Sequence, residues 1–252
     1  SIDQFTVTAS ASAGGSISPS GTVNVTYGGG QSFTVTPGTG YHIDSVLVDG
    51  AYAGNTSPYT FTNVIINHTI QAKFAINQFT ITATAGLHGT ISPSGSVSAS
   101  FGSNQTFTIT PDTGYHIDTL KIDGTVVAST NSYTFLNVNA SHTIAVTFAP
   151  NTLSITVQTS VPGLQVVVDG VTFSSPRIVQ WTAATNHTIG VIDSASGGAG
   201  IRYIWSSWSD AGGKGHTVTP LVNTTFTANF TTQYFLTMSA NTGGTVTPPS
   251  GW

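Results

Sequence analysis

QSFTVTPGTGYHIDSVLVDG at positions 31–50 returns as QTFTITPDTGYHIDTLKIDG at 105–124. Outward from this pair the match continues without a gap, so that residues 2–75 align with 76–149 at a constant offset of 74. The residue is the same at 39 of the 74 positions, which makes an internal repeat the first fact about the chain. Shared blocks are QFT at 4 and 78, ISPSG at 17 and 91, TGYHID at 39 and 113, Asp-Gly at 49 and 123, and HTI at 68 and 142. Both units close on Phe-Ala, at 74–75 and 148–149, and the unit boundaries fall after those residues.

Inside a unit the apolar period is two. Phe5, Val7 and Ala9 alternate with Thr6, Thr8 and Ser10, and Ile70, Ala72 and Phe74 alternate with Thr69, Gln71 and Lys73, the pattern of strands with one buried face. VLVDGAYA at 46–53 and VVVDGVTF at 166–173 each set two short strands around Asp-Gly, the pair that tolerates the positive φ angles of a two-residue hairpin turn. Thr36-Pro37 and Thr110-Pro111 are expected to end strands, because proline has no N–H to give to a ladder.

Composition agrees. Charged residues make up 6% of the chain and Glu is absent, while Thr, Val, Ile, Phe and Tyr suit a pleated sheet better than a helix. The 28 Gly and 11 Pro punctuate the chain often enough for many short strands. The expected fold is all-β: a tandem array of small antiparallel β-sheet domains, sandwich- or grasp-like, arranged as a semi-rigid rod. Only four residues separate Phe74 from Phe79, and Ala149-Pro150-Asn151 is short and stiffened by proline, so neither junction is a flexible linker. At compact-globule density each unit is roughly 30 Å across, and three in line reach about 90 Å.

The expected domains are 1–75, 76–150, a diverged module at 151–232, and the start of an incomplete fourth repeat at 233–252. The third module keeps the punctuation but not the register: VVVDG at 166–170, NHTI at 186–189 and TFTANF at 225–230. The closing QYFLTMSANTGGTVTPPSGW matches the opening of the first unit, with Tyr234 for Phe5 and Gly244 for Gly15. On this reading either the chain continues past Trp252, or the segment around Tyr234, Leu236 and Met238 completes a sheet in a neighbouring molecule by strand addition. An opening on Ser1, with no basic-then-apolar leader, reads as a processed or truncated start.

GSISPSGTVNVTYG at 15–28, QSFTVTPGTGYHIDSVLVDG at 31–50 and SPYTFTNVIINHTIQAKF at 57–74 resemble the bacterial surface repeats of the divergent internalin B-repeat type. The resemblance covers residues 2–149 and, more loosely, the segment from 233; YIWSSWSDAGG at 203–213 and HTVTPLVNTTFTANF at 216–230 look like a module that accompanies such repeats. It implies a place outside the cell, at the cell surface, and a role as stalk, spacer or adhesive module, with no catalytic residues to carry over.

Charge narrows the partners. A net charge of −4 on few ionisable groups leaves no basic stripe for phosphates, so nucleic acid is not expected as a partner. There is no cysteine, hence no disulfide or thiolate metal site, and no 18-residue apolar run, so no membrane insertion is expected.

Candidate chemistry is thin. Asp112-Thr113-Gly114 spells an aspartic-protease triplet, but the aligned Gly38-Thr39-Gly40 has no carboxylate. His42 with Asp44 and His116 with Asp118 stand two apart on a strand, on one side, and read as local hydrogen-bonded pairs. His68, His142 and His187 recur in HTI and read as structural residues of a turn. Gly212-Gly213-Lys214-Gly215 lacks the Ser or Thr of a phosphate loop and reads as a loop. Lys73 and Lys121 align with Thr147 and Leu47, and with Lys214 they give no repeated crosslink. Neither catalytic residues, metal ligands nor a cofactor are expected, and the chain is read as not an enzyme.

Three candidate sets remain. Tyr203, Trp205 and Trp208, with Trp181 near in sequence, read first as core and second as a glycan or partner contact. Tyr234, Leu236 and Met238 form the strand-addition segment. Sequons at Asn24, Asn55, Asn67, Asn104, Asn139, Asn186, Asn223 and Asn229 are candidate glycosylation sites. The function expected is a structural extracellular protein, a stalk, adhesin shaft or filament whose partners are neighbouring repeats or identical chains. The alternative is a carbohydrate-binding or adhesive module that meets cell-surface glycans.

Overall fold

The computed structural model describes residues 3–192, 194–245, 247 and 250–252. Among the described residues every regular element is a β-strand, in agreement with the expected class.

The first repeat contains β1 (Gln4–Ala11), β2 (Gly15–Ser18), β3 (Gly21–Thr26), β4 (Gly29–Pro37), β5 (Tyr41–Val48), β6 (Ala51–Tyr52), β7 (Tyr59–Val64) and β8 (His68–Ile76). They form a five-stranded sheet in the order β3-β1-β8-β5-β6 and a three-stranded sheet in the order β2-β4-β7. Val7, Ala9, Ile17, Phe33, Val35, Val46, Ile70 and Ala72 are buried in one core, while Thr8, Thr69 and Gln71 face outward. The period of two is therefore the real one. Phe33 is wholly buried and meets Phe61 edge to face, with ring centroids 5.9 Å apart.

Asp-Gly turns β5 into β6 with φ of 50° at Asp49 and 82° at Gly50, the mirror-image turn that the pair favours. Strand β4 ends at Pro37. Pairings are mostly antiparallel, but at the centre of the larger sheet β1 and β8 run parallel, from Val7 beside His68 to Ala11 beside Ala72.

The second repeat contains β9 (Gln78–Ala85), β10 (Gly89–Ser92), β11 (Gly95–Ser100), β12 (Gln105–Pro111), β13 (Tyr115–Ile122), β14 (Thr125–Val127), β15 (Ser132–Phe135) and β16 (His142–Pro150). Its sheets, β11-β9-β16-β13-β14 and β10-β12-β15, repeat the order of the first, including a parallel pair of β9 and β16.

The third module contains β17 (Thr152–Thr159), β18 (Gln165–Val168), β19 (Val171–Ser174), β20 (Arg177–Thr182), β21 (His187–Val191), β22 (Ser194–Ser196), β23 (Ile201–Trp208), β24 (Gly215–Val218) and β25 (Thr224–Tyr234). Its larger sheet, β20-β17-β25-β23-β22, has the arrangement of the repeats, again with parallel first and last strands, β17 and β25. The smaller sheet is β19-β18-β21-β24. Here the Asp-Gly hairpin and the HTI strand belong to the smaller sheet, whereas in the repeats they belong to the larger one. That transfer is why the punctuation survives and the register does not. Leu153, Ile155, Val157, Val166, Trp181, Ile189, Trp208 and Phe226 share one core.

The chain divides into two compact units. One holds the residues up to Gly86 with Thr90–Thr110 and Thr119–Thr147; the other holds Leu87–Gly89, Pro111–Asp118 and the residues from Phe148 onward.

Candidate functional site

Two recurrent constructions use the motifs that composition could not explain. The first joins Asp-Gly to HTI. Asp49 lies at the β5–β6 turn and His68 opens β8, two strands that pair with Val48 beside Ile70. His68 Nδ1 stands 2.6 Å from Asp49 Oδ2, and the N–H of Thr69 donates to Asp49 Oδ1 at 2.7 Å. Asp123 with His142 and Thr143 repeats this at 2.7 and 2.7 Å, and Asp169 with His187 and Thr188 at 2.8 and 2.8 Å. A fourth carboxylate, Asp210, accepts from His216 at 2.8 Å without the Asp-Gly turn.

All four carboxyls are held below the usual carboxylate range. At Asp49 the His68 bond is the largest cause, followed by the Thr69 N–H. At Asp123 and Asp169 burial is the largest single effect and opposes ionisation, yet the bonds from His142 and Thr143, and from Thr188 and His187, together outweigh it. At Asp210 burial is likewise outweighed, by the His216 and Gly212 bonds. These carboxylates are tied to their histidines, so each pair acts as a clamp between a turn and a neighbouring strand.

The second construction joins one unit to the next, and each case lies within a single compact unit. Gly40, with φ of 78°, places its carbonyl to accept from the N–H of Asn77 at 2.8 Å. His42 Nδ1 meets Asn77 Oδ1 at 2.8 Å, and since an amide oxygen only accepts, the ring nitrogen donates. The carbonyl of Asn77 accepts from the N–H of Phe101 at 2.8 Å. The Phe101 ring lies over Gly40, where a Cβ would come within 2.2 Å of it. One offset further, Gly114 accepts from Asn151 at 2.7 Å, His116 meets Asn151 at 2.9 Å, and Asn151 accepts from Ala183 at 2.8 Å. Ala183 and Leu221 take the place of the Phe101 ring, 3.3 Å from a Cβ at Gly114.

This overturns the expected pairing of His42 with Asp44. A bulge between Ile43 and Ser45 breaks the alternation, and Asp44 accepts from Ser45 Oγ at 3.1 Å while His42 reaches into the next repeat. His116 likewise reaches Asn151. Asp112-Thr113-Gly114 is the start of a turn closed by the Tyr115 N–H on the Asp112 carbonyl at 3.0 Å. Gly212-Gly213-Lys214 is a loop that leads into β24 at Gly215, with the Lys214 carbonyl accepting from Trp208 Nε1 and the Gly213 carbonyl from His216 Nδ1.

Of the aromatic set, Trp181 and Trp208 are core residues, and Trp181 stacks on His187 at 3.9 Å between centroids. Trp205 is partly buried against that core, and its buried Nε1 has no hydrogen-bond partner among the described residues. Tyr203 is half-buried on β23 beside Thr232. Tyr234 ends β25 beside Ile201, Leu236 bridges Gly251, and the N–H of Met238 donates to Ser250 Oγ.

The sequons divide by how the Asn side chain is used. Asn67, Asn104, Asn186 and Asn223 accept from Thr6, Asn137, Thr219 and Ser154, and Asn229 donates to Ser207. Asn24 on β3, and Asn55 and Asn139 in loops, are exposed. Among the described residues no group of three His, Cys, Asp or Glu is placed to hold a metal ion.

The family model described as Divergent InlB B-repeat domain matches residues 5–78 and again 79–152, more than half of the chain. No curated protein matches. Among solved structures, the Bacillus anthracis TIE protein is 9% identical with a TM-score of 0.44, over 92% of this chain and 51% of that one. The pilus adhesin SpaC from Lactobacillus rhamnosus GG is 8% identical with a TM-score of 0.21, over 90% and 42%; its open conformation gives 8% and 0.19, over 94% and 44%. The chain thus spans about half the length of these proteins. With two gapless copies of one unit and a family model seated on each, the chain belongs to the divergent InlB B-repeat family.

Proposed function

We propose that this chain is a structural segment of a bacterial surface protein, a spacer in the shaft of a stalk, adhesin or filament. The observation that carries the reading is the junction made twice from the same parts, a left-handed Gly carbonyl and a His ring both fastened to one Asn of the following unit. Such a junction spends side chains on fixing one unit against the next, which a catalytic or ligand-binding role does not require. His68, His142 and His187 are engaged with aspartates, and His42 and His116 with the side chains of Asn77 and Asn151, which fits a role in fastening the fold. Immunogold labelling of the native bacterium with antibodies to residues 3–150 tests the setting. Label on the outer surface is expected, and label confined to the cytoplasm overturns the proposal.

A further inference from the structure

Each module begins and ends on two strands that lie side by side and run the same way: β1 with β8, β9 with β16, and β17 with β25. We infer that these three parallel pairs are mechanical clamps, so that the chain carries tension as well as setting a distance. The inference rests on the structural reading above and adds load to it.

The reason is the direction of the strands. The chain enters the first repeat at the leading end of β1 and leaves it at the trailing end of β8. Because the strands are parallel, these two points sit at opposite ends of the pair. Pulling them apart slides β1 along β8, and all the inter-strand hydrogen bonds are stretched together. Had the strands been antiparallel, both points would sit at one end, and the bonds would open one after another.

Further bonds lengthen each clamp at both ends, to a side chain at the leading end of all three and through the backbone at the trailing end. At the leading end the N–H of Thr6 donates to Asn67 Oδ1 at 2.8 Å, that of Thr80 to Ser141 Oγ at 3.2 Å, and that of Ser154 to Asn223 Oδ1 at 2.9 Å. At the trailing end the backbone N–H groups of Ser12, Gly86 and Ser160 donate to the carbonyls of Ala72, Val146 and Ala228 at 2.9, 2.9 and 2.8 Å. Ser12 and Ser160 then accept through Oγ from the N–H groups of Phe74 and Phe230. Val7, Ile70, Ile81, Ile144 and Ile155 are wholly buried beneath these pairs, so water reaches the bonds from one face only. The third module has lost the repeat's register elsewhere and still keeps this clamp with its side-chain bonds.

The full chain, held by one handle ahead of its first residue and one after Trp252, is stretched singly by atomic force microscopy. Separate unfolding events are expected, a 74-residue unit releasing about 250 Å of extended chain. Their force is compared with that for the first repeat pulled between the leading handle and a cysteine introduced by Ile66→Cys. Ile66 is exposed at 57% and lies two residues before β8, so this geometry opens β1 from β8 one bond at a time. The end-to-end force is expected to be several-fold higher. Equal forces in the two geometries overturn the clamp while leaving a spacer without load; cytoplasmic label in the immunogold experiment removes the spacer itself.

Discussion

Asp49 and His68, nineteen residues apart, are bound side chain to side chain at 2.6 Å, and the backbone N–H of Asp49 donates to the carbonyl of Thr69 at 3.0 Å. Two motifs that recur separately in the sequence are thus the two halves of one clamp. The same halves meet at Asp123 with His142 and at Asp169 with His187.

The clamps make stability fall in acid. Asp49, Asp123, Asp169 and Asp210 all have carboxyl pKa values below the ordinary 3.8, so the unfolded chain takes up protons first as the pH drops. Stability is then full above about pH 5 and is lost as the pH falls through and below the ordinary value. Melting temperatures by circular dichroism between pH 6 and pH 2.5, on the order of the range where carboxylates titrate, check this. Asp123→Asn is expected to flatten that slope, and an unchanged slope in the variant contradicts the assignment.

Gly40 and Gly50 separate strain from contact. Both have left-handed φ, 78° and 82°, but a Cβ at Gly40 strikes the Phe101 ring while one at Gly50 meets nothing within 4 Å. Gly50→Ala is expected to cost about 1 kcal/mol, the cost of the backbone conformation alone. Gly40→Ala is expected to cost more and to shift the amide resonances of Asn77 and Phe101. Equal losses at the two sites, by urea denaturation, speak against the junction.

Phe107 is wholly buried at the centre of the second repeat, as Phe33 is in the first. Phe107→Ala is expected to destabilise that repeat by about 3–5 kcal/mol, through lost burial and the cavity left behind. Hydrogen exchange resolved by residue reads the loss, and a change under 1 kcal/mol, about the size of a surface substitution, contradicts the packing.

Trp208 is 2% exposed and its Nε1 donates to the Lys214 carbonyl at 3.0 Å. Trp208→Ala is expected to lower stability by about 3–5 kcal/mol. A glycan array probed with the folded Trp205→Ala variant separates the rival role. Loss of binding to a glycan that the parent chain retains, with the fold intact, restores the aromatic set as a contact surface.

Much of the fold is legible in the sequence, because burial on one face of a sheet writes itself as a period of two and Asp-Gly writes the turn. The alternation at Phe5–Ala9 and Ile70–Phe74, the hairpins at Asp49, Asp123 and Asp169, and the strand ends at Pro37 and Pro111 are all of this local kind. Strand direction is not, since a period of two is the same for either neighbour, and so the parallel pairing of β1 with β8 leaves no mark. The role of His42 is hidden for a different reason. A bulge at Asp44 breaks the alternation that makes residues two apart neighbours, and the true partner, Asn77, belongs to the next unit. The gapless offset of 74 does hold one clue, for TGYH and Asn77 or Asn151 stand at fixed spacing in both copies, but spacing alone does not reveal contact.

The coupling of the first two repeats through Gly40, His42, Asn77 and Phe101 is the claim on which the spacer rests. Residual dipolar couplings of the backbone amides, measured on the intact chain and fitted separately for residues 4–75 and for 90–110 with 119–147, test it most directly. One common alignment tensor, split into two by His42→Ala combined with Phe101→Ala, is the result predicted. Two different tensors in the unaltered chain contradict it.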